Sequence, residues 1–315
     1  MALSLTPVAG DQLDSWDAMY ASAHRPAVSQ SRYYAEALAS ARGWLSDFYL
    51  VQDGDEVLGG CVVQTKHQPI GKAMRIERGP IWTKQPTDGQ QLDVLTQLAD
   101  MTKPRWFERR RFYPDLPNNG AVAGALPSLG FKRVDIGYRT IWLKLEQPQA
   151  VRRTALRQNW RHALAKAERP GLTIQIDDRG EHLSWLTAHH EHAMRRQHFI
   201  GPTSLFLGAL KSQAANTGDF LIFRAHYLGK PIAGALMLRH GPAATYLVGW
   251  SGKIGRKYNA QHLLLWQAIS HLQDKGVQYL DLGGVNPEGA KGVTYFKRGL
   301  LTPADEEATG APIYR

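Results

Sequence analysis

One plan is used twice in this chain. Asp47-Phe48-Tyr49-Leu50-Val51, a turn and Leu58-Gly59-Gly60 read like Asp219-Phe220-Leu221-Ile222-Phe223, a turn and Ile232-Ala233-Gly234. Each set is an apolar strand, a tight turn and a return strand carrying small residues. The surroundings repeat as well. Helical spacing of apolar residues over Asp11–Ala23 and Ser29–Ala41 precedes the first hairpin, and over Glu181–Gln197 and Thr203–Ala214 the second. A third strand follows each hairpin (Met74–Trp82; Ala243–Ser251), then a helix (Gly89–Thr102; Asn259–Lys275) and another strand (Arg105–Phe112; Gln278–Leu282). Strands in meanders and helices between them imply two mixed α/β (α+β) units rather than one large core. The expected division is residues 1–147 and 148–315. A basic linking helix spans 148–170, read as Gln149–Arg169 and stopped at Pro170-Gly171.

Within the second unit, Gln278–Leu300 carries the chemistry. The buried strand Tyr279-Leu280-Asp281-Leu282 runs into Gly283-Gly284, where the backbone can take positive φ and approach a ligand closely. A loop with Asn286, Pro287 and Glu288 follows, then Lys291 between glycines and the apolar-basic run Val293–Gly299. In open sheets ligands bind where strands end, so Asp281 is placed to orient an amine or take its proton, or else to cap the loop. Phe296 and Lys297 are equally open to a core reading, with Phe296 packed inside and Lys297 on a solvated helix face.

Charge narrows the partner. The chain is +10, and residues 101–170 hold 15 Lys/Arg against 5 Asp/Glu, which is +10 in that segment alone. Such concentration suits a polyanion: RNA, a diphosphate-linked substrate or an anionic membrane face. Arg153, Arg157 and Arg161, spaced i, i+4, i+8, would form one helical stripe. With Arg109, Arg110 and Arg111 they read as an RNA-phosphate surface or as a solvated basic face. Cys61 is alone, in an apolar run, so no disulfide framework or cysteine zinc site can form within the chain. His189, His190 and His192 lack the spacing of a zinc helix, since Met194 stands where a second ligand would be, and no metal is expected. No apolar run of 18 residues and no signal-like N-terminus occur, so the expected setting is cytoplasmic, with peripheral membrane contact left open.

The element order is similar to the GNAT acyltransferase fold in tandem. The run Asp281-Leu282-Gly283-Gly284, Lys291-Gly292-Val293 and Phe296-Lys297-Arg298-Gly299-Leu300 resembles the closing signature of the Fem (FemABX-like) family of tRNA-dependent aminoacyl transferases. There Leu300 replaces the usual Phe. Arg157-Gln158-Asn159-Trp160-Arg161 resembles the basic helix that follows that family's first domain. The long helical hairpin of some members is absent between Gln197 and Thr203. The resemblance implies transfer of an amino acid from its tRNA ester to an amine, with aminoacyl-tRNA as co-substrate and no cofactor. The acceptor would be a peptidoglycan stem peptide on a UDP-sugar or lipid diphosphate, or a small biosynthetic amine. It assigns oxyanion stabilisation or contact with the tRNA terminus to Lys297, with Phe296 beneath it or on the terminal adenosine, and places Tyr295 beside them. Arg196, in an R-x-x-F context ending at Phe199, would bind diphosphate, helped by Arg32, with His189 and His192 lining the acceptor groove. Arg110, Arg153, Arg157 and Arg161 would meet tRNA. Acyl-CoA enzymes of the GNAT fold need a glycine-rich anion loop, and Gly255-Arg256-Lys257-Tyr258-Asn259-Ala260 has Tyr258 at its key glycine. An N-acyltransferase using acyl-CoA or a carrier thioester, and a non-catalytic RNA-binding protein, remain the alternatives.

Overall fold

The computed structural model describes residues 3–116, 120–135, 139–169, 171–309 and 313–315. Pro170, the expected stop of the linking helix, lies outside them. The chain forms two compact units, Met1–Arg139 with Ala308–Arg315, and Thr140–Glu307.

The first unit runs β1 (Ser4–Val8), α1 (Leu13–Ser22), α2 (Arg32–Arg42), β2 (Leu45–Asp53), β3 (Glu56–His67), β4 (Lys72–Glu77), β5 (Ile81–Trp82), α3 (Asp88–Met101), β6 (Arg109–Tyr113), α4 (Ala121–Ala125) and β7 (Arg133–Asp135). Then come β8 (Arg139–Lys144), α5 (Gln149–Ala155), α6 (Gln158–Glu168), β9 (Thr173–Asp177), α7 (Leu183–Gln197), α8 (Ser204–Ala214), β10 (Phe220–Tyr227), β11 (Lys230–His240), β12 (Ala243–Ser251), α9 (Lys253–Lys257), α10 (Ala260–Asp274), β13 (Tyr279–Asp281), α11 (Lys291–Arg298), β14 (Glu306–Thr309) and β15 (Ile313–Tyr314). The first sheet has the order β1-β2-β3-β4-β6-β15-β7, with β5 on β3; the second has β14-β8-β13-β12-β11-β10-β9. Read from β9 to β14, the second order matches the first position for position. Among the described pairings each contains one parallel pair, β4–β6 or β12–β13.

Local chemistry explains the elements. The β10–β11 hairpin pairs Tyr227 with Lys230, leaving a two-residue turn in which Leu228 (φ +49°) and Gly229 (φ +73°) are both left-handed, as the right-handed twist of the strands requires. Thr87 and Gln90 form a reciprocal cap at the start of α3. Leu95 and Leu98 of α3 are fully buried against the first sheet with Phe112 and Phe131. Trp16 of α1 packs on the other face of that sheet, edge-on to Phe48 at 5.0 Å. In the second unit α6 and α10 bury Trp160, Leu164, Leu264 and Ile269 against the sheet.

Four expectations need correction. The helix over 149–169 is two helices, because Leu156 and Arg157 are extended (ψ 147° and 140°). The Arg153/Arg157/Arg161 stripe therefore does not exist. Arg153 forks onto Glu168 with two bonds of 2.6 Å, Arg161 donates to Thr154 O at 2.7 Å, and exposed Arg157 precedes α6. Two of the three arginines hold the elbow rather than face outward. Arg110 is also no surface residue: only 7% exposed, it donates to Ala99 O (3.1 Å) and Gly130 O (3.0 Å) and lies over the Phe131 ring at 3.8 Å. Strand parity sends it inward beside Phe112, while Arg109 and Arg111 stay exposed. The strand over 74–82 is broken at Arg78 (φ +54°) into β4 and β5.

The units also divide differently from the expected break after residue 147. β8 pairs with β13 in the second sheet, while β15 returns to sit between β6 and β7 in the first. A fully buried ion pair anchors β8 to its sheet: Arg152 Nη1 donates to Asp305 Oδ2 at 2.8 Å and Nη2 to Oδ1 at 3.0 Å. Asp305 also accepts from Lys144 N and Thr302 N, each at 2.8 Å.

Candidate functional site

The second sheet opens where its parallel pair stops. β12 and β13 are paired only at Ala243–Tyr279, Ala244–Leu280 and Thr245–Asp281. β13 then ends and the chain swings away through Gly283 (φ +71°), while β12 runs on for six more residues. A bulge at Leu247, where Tyr246 faces Met237 and Val248 faces Leu236, re-aims β12 at the same point. Both strands present their carboxyl ends to this gap, which is the position where open sheets bind ligands.

Lys297 reaches into this region from α11. Its ammonium donates to Gly284 O at 2.8 Å and stands 5.7 Å from the centroid of the Tyr246 ring. The residue is 7% exposed, and burial pushes its pKa down to about 8, the Asp281 carboxylate pulling the other way. An ammonium has three donors. Among the described residues its one hydrogen bond goes to Gly284 O, which leaves two donors for a bound oxygen.

Asp281 is fully buried and accepts from the Thr140 hydroxyl and from Gly283 N (2.8 Å). It therefore locks the glycine turn and supplies the negative charge that keeps Lys297 near its protonated form. Tyr246 accepts from Gln261 Nε2 at 2.8 Å, and burial raises its hydroxyl pKa. The ring fits because Gly249 has no side chain; a Cβ there would overlap Tyr246 Oη.

Beneath Lys297, Phe296 meets His262 edge-on (4.8 Å) and Trp160 (6.1 Å). Burial lowers the His262 pKa to about 4, so this packing is uncharged at neutral pH. Phe296 is thus a support for α11. Tyr295 is 61% exposed, and its hydroxyl accepts from Asn159 Nδ2. Gly299 lets α11 end directly against Trp160, whose ring a Cβ would overlap.

Comparison with known proteins agrees with this geometry. Residues 150–298 match the family described as an acetyltransferase (GNAT) domain. The crystal structure of FemX is similar over 97% of this chain and 96% of its own, with a TM-score of 0.79 at 16% identity. A tandem GNAT protein from the clavulanic acid biosynthesis pathway has a TM-score of 0.55 at 12% identity, covering 99% of this chain and 97% of that one. L-PGS from Bacillus licheniformis has a TM-score of 0.52 at 11% identity, covering 89% and 85%. No curated protein matches the chain by sequence. In fold, the chain is FemX-like, with two GNAT-like units in tandem.

The remaining expected residues of this Fem-like fold are more scattered. His189 on α7 stacks on Trp250 at the end of β12, with centroids 3.9 Å apart and rings 16° from parallel. Trp185 stands perpendicular to both. Burial and then the neighbouring His192 lower the His189 pKa. His192 and Arg196 are exposed on α7. His190 is buried instead, edge-on to Phe199 at 5.8 Å, so the three histidines face different surroundings. Arg32 belongs to the first unit, where it is held by Asp17 (2.5 Å) and Glu36 (3.8 Å).

Thr140, Tyr246 and Gln261 were not picked out from sequence. A glycine inside an otherwise apolar strand, as in Tyr246-Leu247-Val248-Gly249, is the signal of a bulge or close approach that points to Tyr246. Nothing in the local sequence marks Thr140 or Gln261.

Proposed function

We propose that the second unit is an acyltransferase centre that moves an aminoacyl group from its tRNA ester to an amine, forming an amide. The observation that carries this reading is Lys297. It is a nearly buried ammonium with two donors uncommitted among the described residues, at the point where the parallel strands part. The amine nitrogen attacks the ester carbonyl, the C–N bond forms and the carbonyl oxygen becomes an oxyanion. Lys297 stabilises that charge in a poorly solvated setting, where a fixed cation is most effective. Collapse breaks the C–O bond, and the ribose hydroxyl leaves with the proton that the amine gives up. No covalent enzyme intermediate is needed. Asp281 acts as a positioning residue through Gly283 and Lys297, and Phe296 supports the helix from below.

The donor assignment is supported by the region after β12. Where an acyl-CoA enzyme needs free N–H groups on a glycine-rich loop, this chain has the short helix α9. Gly252 N is spent on Ile232 O (2.9 Å), and Tyr258 packs on Tyr227 at 4.6 Å. Exposed Arg157 is the remaining member of the expected tRNA-facing arginines. The acceptor would be a cell-wall precursor on a UDP-sugar or lipid diphosphate, or a small biosynthetic amine, met through Arg196, His192, His189 and Tyr295.

The test is hydroxamate formation from hydroxylamine, measured above the enzyme-free rate, with aminoacyl-tRNA and with acetyl-CoA as donors. Product from aminoacyl-tRNA alone, lost in Lys297→Ala, is expected. Product from acetyl-CoA alone, or from neither donor, overturns the reading.

A further inference from the structure

Two turns of the first unit expose apolar side chains in a basic setting that the transfer reaction does not use. The turn Arg105–Glu108 is closed by Glu108 N on Arg105 O (3.0 Å), and Glu108 Oε2 accepts from Arg105 N (3.0 Å). It holds Trp106 89% exposed and Phe107 67% exposed, edge-to-face at 5.9 Å. The β3–β4 turn, closed by Gln68 N on Gly71 O (3.1 Å), carries Ile70, 67% exposed. The two turns touch, because Gly71 packs so tightly on the Phe107 backbone that a Cβ would overlap its carbonyl oxygen. Lys72 reaches Glu108 at 3.8 Å across the same junction. These are ordered turns that fix large apolar groups outward, not fraying loops.

The polar surroundings are predominantly cationic. Lys103, Arg105, Arg109 and Arg111 are exposed, and Glu108 is the one acid of the segment from Lys103 to Arg111. Beside the aromatic turn lies a surface cavity of about 1010 Å³, lined by Lys103, Arg109, Arg111 and Lys132, with Asp100 and Glu108 at its wall. From this combination we infer that the tip formed by Ile70, Trp106 and Phe107 docks on an anionic lipid surface. The apolar groups would enter the headgroup–acyl boundary and the flanking cations would engage lipid phosphates.

The chemistry favours lipid over nucleic acid. Trp at a membrane interface gains from an apolar body and a polar N–H, and juxtaposed Lys/Arg gain from the negative surface potential. A base-stacking platform needs open ring faces. Here the two rings pack edge-to-face on each other, and the third member is aliphatic. Three such side chains left in water are unusual for a surface without a partner.

The experiment uses the full chain and sedimentation with vesicles of phosphatidylcholine alone or with about one third phosphatidylglycerol. Binding to the anionic vesicles only, weakened by salt, is expected. The double variant Trp106→Ser/Phe107→Ser should bind about tenfold more weakly, and Arg109→Glu about fivefold or more per lost charge. Ile70→Ser, from the other turn, should shift binding in the same direction but less. Brominated lipid should quench tryptophan fluorescence, and Trp106→Phe should remove that quenching. Circular dichroism and the hydroxylamine reaction should be unchanged in the turn variants, which separates this inference from the transfer reading. The inference is overturned by equal binding to neutral vesicles, by binding indifferent to Trp106 and Phe107, or by variants that lose single-stranded RNA binding while keeping vesicles.

Discussion

The two units have the same strand order, yet among the described residues their parallel pairs stay zipped for different lengths. In the first, the parallel pair β4–β6 is paired at five positions, Ala73–Glu77 against Arg109–Tyr113, and Arg78 N extends it onto Tyr113 O at 2.7 Å. Where β4 turns away, the fully buried Gln30 fills the corner, donating to Glu77 O (2.8 Å) and accepting from Val62 N (2.8 Å). In the second, pairing stops after three positions and the space is met by Lys297, Tyr246 and the Gly283 turn. A shared fold thus does not fix a shared site. The site follows from how far one pair of strands stays zipped and from which side chain meets the opening.

Breaking this contrast should start with its framework. Arg152→Met should cost about 3–5 kcal/mol in urea unfolding, because it leaves Asp305 charged and buried without its partner. A smaller loss would mean that β8 does not depend on that pair. Lys297→Ala should lower kcat/KM for transfer by about 10²–10³. Unchanged turnover would make the two units equally silent at this position. The wild-type rate with hydroxylamine, an acceptor already uncharged at neutral pH, should be level from about pH 7 to 8 and fall roughly tenfold per unit above it. The sign follows from the protonated Lys297 being the form that holds the oxyanion, a form lost as pH rises through about 8. A rate that climbs through pH 8 would make Lys297 a base instead. Gly283→Ala should cost about 1–2 kcal/mol, from its φ of +71° and a Cβ 2.9 Å from Tyr246 O, and should slow transfer. Gly54→Ala, at φ +59° with open space around it, should cost about 1 kcal/mol and leave transfer untouched. Smallest, Arg32→Ala should change unfolding by less than about 0.5 kcal/mol, as for an exposed ion pair.

Much of this was legible because it is local. Strand alternation and helical spacing gave the element order. The glycine pair after Asp281 marked the place where a strand ends in a binding position, and Asp281, Phe296 and Lys297 gather there. The elbow at Leu156-Arg157 was hidden because its causes are distant: Asp305 holds Arg152, and Gly299 O meets Arg157 N at 3.4 Å. Helical periodicity runs through such a break unperturbed. Arg110 could have been placed by parity, since it alternates with Arg109 and Arg111 and shares a face with Phe112. Thr140 and Gln261 could not, because their relevance depends on which strand lies beside β13 and where β12 bulges.

The exchange of final strands orders events during synthesis. β15 supplies the bonds on which both β6 and β7 rely, yet it is translated after the whole of the second unit. On the ribosome the first sheet must therefore wait, split between β6 and β7, while residues 140–307 emerge. The second sheet already has β8 in hand before its own first strand appears. The nascent chain would complete its later unit first, and cutting a gene between the repeats would leave each fragment one strand short or one strand over.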